Sequence, residues 1–151
     1  MSIADRLKEL GIDLPLVSPV AIYKPAVRTG NLVFVSGQLP MKDGALTTTG
    51  RLGAGVSIDD GKAAARQCAI NALAAAQHLL GTLEGARVIR TVGYVASTPE
   101  FVDQPQVVNG ASELLKEVFG DDAGVGARTS IGLVSLPANS PVEVELLLEV
   151  K

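Results

Sequence analysis

Residues 142–150 alternate but for Leu147: Val142, Val144, Leu146, Leu148 and Val150 hold one parity, and Glu143, Glu145, Leu147 and Glu149 hold the other. Successive strand side chains point to opposite sheet faces, so this segment reads as a strand sealed by a core on one side and open on the other. Slipping its pairing by one residue would bury three carboxylates, which pins the register. Residues 127–136 form the preceding strand, with Ile131 and Leu133 on one parity and Arg128, Ser130, Gly132 and Val134 on the alternate one. Pairing the two strands directly, apolar to apolar, sets Arg128 and Ser130 on the face of Glu143 and Glu145, beside Val134 and Leu147.

The sealed face needs a cover, and two helices supply it. Ser57 and Asp60 read as a helix start, and the alanine-rich run that follows continues to Leu80 and stops at Gly81. Ala65, Cys68, Ala69, Ala72, Leu73, Ala76, Leu79 and Leu80 recur there at helical spacing, with side chains small enough for close approach to a sheet. Val107, Val108, Ala111, Leu114, Leu115 and Val118 mark a second amphipathic helix ending at Gly120. Residues 87–97 read as a core strand closed by Thr98-Pro99. Residues 31–36 (Asn-Leu-Val-Phe-Val-Ser), apolar on both parities, read as a strand covered on both faces. A return strand is expected after the Lys42-Asp43-Gly44 turn, within a Gly- and Thr-rich loop over residues 44–55. Near the start, Ser2, Asp5 and Gly11 bracket a short first helix, after which Pro15 and Pro19 force an extended passage.

The order helix, strand, strand, helix, strand, helix, strand, strand predicts an α+β fold: one mixed sheet with both long helices on a single face and the opposite face bare. That bare face is where a subunit interface or a ligand pocket is expected. With no internal repeat or low-complexity linker, residues 1–151 read as one domain, residues 1–14 being an N-terminal helical extension.

Apolar residues make up 47% of the chain and charged residues 19%, too few charges to solvate a whole surface, so some apolar area is expected to meet another subunit. Thirteen Lys and Arg against sixteen Asp and Glu leave a net charge of -3, the wrong sign for a phosphate backbone, and aromatics at 3% offer few stacking platforms. Nucleic acid is therefore not the expected partner. No run approaches the roughly 18 apolar residues of a membrane span, and residues 1–10 lack a secretory apolar region. A cytoplasmic location follows, in keeping with Cys68 as the sole cysteine. Glycine-rich phosphate loops, nucleophile elbows and metal-spaced His/Cys sets are missing, which points away from nucleotide, metal and triad chemistry.

Arg128 has two readings at this point. Its planar fork suits a bidentate grip on a small carboxylate, with Glu143 or Glu145 orienting or deprotonating a water. Equally, it can form a cross-strand ion pair worth about 0 to 1 kcal/mol on a solvated face. His78, in the last turn of the first long helix, reads as a contact with the helix dipole. Cys68, on that helix's apolar stripe, reads as a core filler.

The run Gly30-Asn31-Leu32-Val33-Phe34-Val35-Ser36-Gly37-Gln38-Leu39-Pro40 resembles the signature of the RidA/YjgF family. Ala127-Arg128-Thr129-Ser130, Leu136-Pro137 and Val142-Glu143-Val144-Glu145 resemble the family's C-terminal block at the same spacing, and with Asn109 the likeness runs from about Pro19 to Val150. The resemblance implies a chorismate-mutase-like fold assembled as a homotrimer with a barrel-like centre and a ligand cleft at each subunit interface. The activity implied is hydrolysis of reactive 2-imino or enamine acids to 2-keto acids and ammonia, with no cofactor.

Carried over by position, Arg128 matches the arginine that binds the substrate carboxylate and Glu143 the glutamate that places the attacking water. Tyr23, Ser36 and Asn109 match residues that shape the cleft, and Ser130 stands where many relatives carry cysteine. Each has a plainer reading: Tyr23 packs after Pro19, Ser36 ends a strand, and Asn109 bonds locally on its helix. Ala21-Ile22 in place of the usual Gly-Pro, together with the longer N-terminal helix, indicates a divergent subgroup with a reshaped cleft mouth. The alternative function is a trimeric protein that binds a small carboxylate or keto acid without turnover. Endoribonuclease activity, attached by name to parts of the family, fits poorly with the acidic charge and lone His78, since metal-free phosphodiester cleavage usually needs a paired acid and base.

Overall fold

The computed structural model describes residues 1–18 and 21–151. Helix α1 (Ile3–Glu9) begins as its sequence suggests: the Asp5 N–H donates to Ser2 Oγ at 3.0 Å, and the Asp5 carboxylate accepts from the Ser2 N–H. It stops at Glu9, so the extension is helical over two turns only, and residues 12–18 continue without regular structure. Pro19 lies outside the described residues.

Strands β1 (Ala26–Thr29) and β2 (Leu32–Gln38) form a hairpin that turns at Gly30, whose φ of 57° suits a residue without a Cβ. The sequence reading missed β1, a four-residue edge strand with one buried side chain and thus little apolar signal. The expected return strand is a two-residue ribbon, β3 (Met41–Lys42) with β4 (Ala45–Leu46), closed by Asp43 and Gly44 at positive φ. After β5 (Arg51–Leu52) and β6 (Gly55–Val56) comes α2 (Ile58–Leu80), capped by Ser57 Oγ on the Asp60 N–H at 3.1 Å and ended by left-handed Gly81. Then follow β7 (Arg87–Ala96), α3 (Gln104–Ala123), β8 (Ala127–Leu133) and β9 (Val142–Glu149). α3 starts one turn earlier than its apolar stripe, with Pro105 in the first turn.

The main sheet has the order β1-β2-β9-β7-β8, with β9 antiparallel to both β2 and β7, and β8 parallel to β7. Helices α2 and α3 each link parallel strands, β2 to β7 and β7 to β8, and both cover one face. There the even parity of β9 meets its match: Val144 opposes Gly93, Leu146 opposes Val35 and Thr91, and Leu148 opposes Val33. These valines and leucines are essentially fully buried, each worth about 1.5–3 kcal/mol relative to exposure, so the alternation of residues 142–150 decides this register. Cys68 is likewise wholly buried in the core. Phe34, by contrast, is 49% exposed on the uncovered face, so β2 is covered on one side only in this chain.

One expectation fails. β8 is not a neighbour of β9 but the edge strand beyond β7, with Arg128 opposite Thr91 and Ser130 opposite Gly93. Thr91 and Gly93 belong to the helix-covered face, and side chains directly opposite share a face, so Arg128 and Ser130 lie under α3 rather than beside Glu143 and Glu145. The parity match failed because it assumed that consecutive strands pair. Here α3 makes β8 a parallel partner of β7, and β9 inserts on the other side. Gly93 permits that closeness, since a Cβ there would meet Val108 of α3 at 2.3 Å.

Candidate functional site

The edge of the sheet under α3 is a polar seam in an otherwise apolar layer. Arg128 Nη1 donates to Asn109 Oδ1 at 2.7 Å and to Ser112 Oγ at 3.3 Å. Asn109 and Ser112 are three residues apart on α3 and so share one helix face, a spacing that would have revealed Ser112 in the sequence. Among the described residues, the guanidinium's hydrogen bonds run from Nη1 alone, which leaves the rest of its fork facing an exposed edge. Two residues on, Ser130 Oγ is buried without a protein partner. At Gly132 a Cβ would meet Gln104 Nε2 at 2.7 Å and Ser97 Oγ at 2.8 Å, so a glycine lets these polar groups line the same seam.

A second cluster occupies the uncovered face between β2, β9 and β7. Glu143 leans over Gly37, where an added Cβ would sit 2.9 Å from its carboxylate. Burial first, and the neighbouring Glu145 carboxylate second, push the Glu143 carboxyl above its ordinary range. The Tyr94 hydroxyl donates to Glu145, and this bond, then desolvation and the two nearby carboxylates, raises the phenol to about 12. Ser36 Oγ donates to the Lys24 carbonyl at 2.6 Å, tying the segment that carries Tyr23 to β2. Tyr23 itself is exposed. Asn71, buried on α2, donates to the Leu39 and Met41 carbonyls at 2.9 Å each and anchors the chain just beyond Gly37.

The six residues singled out in the sequence therefore fall into two groups. Arg128, Asn109 and Ser130 gather beneath α3, whereas Tyr23, Ser36 and Glu143 gather at the β2 side. Arg128 opposes Thr91 and Glu143 opposes Tyr94, three residues along β7 and one strand to each side of it. Strand geometry puts their Cα atoms roughly 14 Å apart, with side chains on opposite faces. One copy of the chain does not bring the two groups together. Among the described residues no three His, Cys, Asp or Glu side chains converge as metal ligands.

Comparison with known proteins places this geometry in a family. The family model described as "YjgF/chorismate mutase-like, putative endoribonuclease" matches residues 4–150. The chain belongs to the RidA/YjgF family. It is 45% identical to Atu1372 of Agrobacterium tumefaciens, a protein of unknown function, over 99% of this chain and 92% of that one, with a TM-score of 0.92. Protein TCP17 of Trypanosoma cruzi is 41% identical over 97% of this chain and 93% of its own length. A 2-iminobutanoate/2-iminopropanoate deaminase of Dermatophagoides farinae is 28% identical over 93% and 95%.

The α+β architecture expected of a RidA/YjgF chain is the one observed, with a mixed sheet and both long helices on one face. Gly37, Tyr94 and Gln104 were not singled out as site residues in the sequence. Tyr94 carried a signal, because it shares a parity with Val92 on β7 and stands opposite Glu143, but only the sheet order reveals that opposition.

Proposed function

We propose that the protein hydrolyses 2-imino acids, and the enamines in equilibrium with them, to 2-keto acids and ammonia at clefts between copies of the chain. Arg128, steadied by Asn109 and Ser112, grips the substrate carboxylate through the part of its fork that those residues leave unused. Tyr23, Ser36 and Glu143 of the neighbouring copy complete the cleft. Water adds to the imine carbon, and Glu143 accepts its proton and returns it to nitrogen. The carbinolamine hydroxyl then passes its proton to the amine as the carbon–nitrogen bond breaks, releasing ammonia and leaving the keto carbonyl. A carboxyl held above its usual range by burial is a stronger base for this exchange than an exposed one.

The observation that carries this reading is the separation of the two clusters within one chain, each holding half of a plausible set. Val27, Phe34 and Ile131 on the uncovered face are 48, 49 and 39% exposed, apolar area that a homotrimer with a barrel-like centre would bury. The D. farinae relative supplies the reaction class.

The test generates the imine with an amino-acid oxidase and follows its loss. Arg128→Ala and Glu143→Gln should each abolish the rate, while refolding an equal mixture of the two should restore about a quarter of it, since random mixing completes that fraction of shared clefts. Activity of Arg128→Ala equal to wild type would sink the mechanism. Keto-acid binding without turnover would leave a carboxylate-binding protein.

A further inference from the structure

A groove of about 870 Å³ opens beside the second cluster. One wall is the N-terminal extension, through Ile12, Leu14 and Val17, and the opposite wall is the chain after β2 with Ile70 of α2. Tyr23 and Gly37 also line it, and the Glu143 carboxylate lies against Gly37. Its floor is held by the Asn71 amide on the Leu39 and Met41 carbonyls. At the rim Ala138, a non-glycine residue, has φ of 57° and ψ of 23°. Strain of that kind persists where surrounding structure enforces it, commonly around ligands.

We infer that this groove takes the side chain of the imino acid, and that the N-terminal extension thereby makes the chain selective for 2-imino acids with branched or aromatic side chains. The inference rests on the imine hydrolysis proposed above. Size carries it: a methyl or ethyl side chain fills roughly the space of one or two waters, about 30 Å³ each, and would leave the groove wet. A larger apolar group displaces more of that water and can cover Leu14, Val17 and Ile70, whereas the charged side chains in the lining, Asp13, Lys42 and Asp43, offer no single sign of charge to attract an ionic one. A site of this volume is in the range that encloses whole small molecules.

The experiment compares kcat/KM for imines generated from leucine and from alanine, in wild type, Ile70→Phe, which narrows the groove, and Leu14→Ala, which removes part of the extension's wall. Because one methylene in an apolar pocket is worth at least about 10-fold, the leucine-derived imine should be preferred by at least about 10-fold in wild type. Both variants should bring that preference toward parity by lowering the leucine-derived kcat/KM relative to the alanine-derived one. Thermal unfolding of each variant identifies a folding failure, and if one variant fails the other decides.

Equal or faster turnover of the alanine-derived imine, abolished by Arg128→Ala, would overturn the selectivity and leave the hydrolysis standing. A leucine preference untouched by both folded variants would overturn it too, assigning the preference elsewhere. Consumption of neither imine would remove both proposals.

Discussion

Gly110 sits on α3 next to Asn109, and replacing it with alanine tests the packing that holds Arg128. Helix propensity alone makes Gly110→Ala stabilising by about 0.5–1 kcal/mol. The structure reverses that sign. A Cβ at this position would lie 2.0 Å from the Lys62 carbonyl oxygen and 2.8 Å from its carbon, both backbone atoms of α2. Contacts under 3.0 Å are essentially never made by a real Cβ, so α2 and α3 must part by about 1 Å. A gap of that width forfeits a quarter to a half of the dispersion energy between the atoms that line it. Overpacking costs about 1–3 kcal/mol where side chains give way, and with helix backbone on the other side the upper end applies. Subtracting the propensity gain leaves a net loss of about 2 kcal/mol, or a fall in Tm of about 4–8 °C for a chain of this size.

The assay is thermal unfolding followed by circular dichroism at matched protein concentration, because any self-association would make Tm concentration-dependent. Gly61→Ala is the control on the facing helix. Its nearest neighbours would be side-chain methyls of Val107 and Leu52, at 3.1 to 3.3 Å, so its change should stay within about 1 kcal/mol. A Gly110→Ala variant as stable as wild type, or more so, would refute the close helix crossing.

Three further outcomes are expected. Folding raises the Glu143 carboxyl, so the stability this group contributes is complete below the ordinary carboxylate range and is lost as pH rises through the raised value; Glu143→Gln should therefore unfold no more easily than wild type at neutral pH while losing turnover, and a lower Tm would contradict this. In Tyr23→Phe, which leaves Tyr94 as the sole tyrosine, tyrosinate absorbance should rise with a midpoint near about 12, and Glu145→Gln should lower it; a midpoint at the ordinary value near 10 would contradict the Tyr94–Glu145 bond. The stability linked to that phenol is complete below 10 and is lost as pH climbs toward 12. Arg128→Lys keeps the charge but loses the fork, so kcat/KM for the imine should fall about 10- to 100-fold, and a rate within about twofold of wild type would argue against bidentate carboxylate binding.

Much of the fold was legible because apolar burial imprints a period on the chain. The alternation in residues 142–150 determined which side of β9 faces the core, and the alanine stripe of residues 58–80, with its serine cap and terminal glycine, determined a helix that packs closely on a sheet. Candidates for a site were legible too, since Arg128, Asn109 and Glu143 are chemistry-bearing groups set in recognisable motifs. Their placement was not. Parity states that Arg128 and Ile131 point to opposite sides of a strand, but which side is which depends on the strand beside it, and that neighbour is chosen by a crossover through α3 that no local pattern encodes. Only the tertiary structure decided that β8 borders β7, that Arg128 reaches Asn109 instead of Glu145, and that the two halves of the candidate site stand on opposite faces of the sheet. The physical reason is range: hydrophobic periodicity is a property of a few consecutive residues, whereas the convergence of a guanidinium and a carboxylate depends on strand order, helix crossing and contacts between segments far apart in sequence.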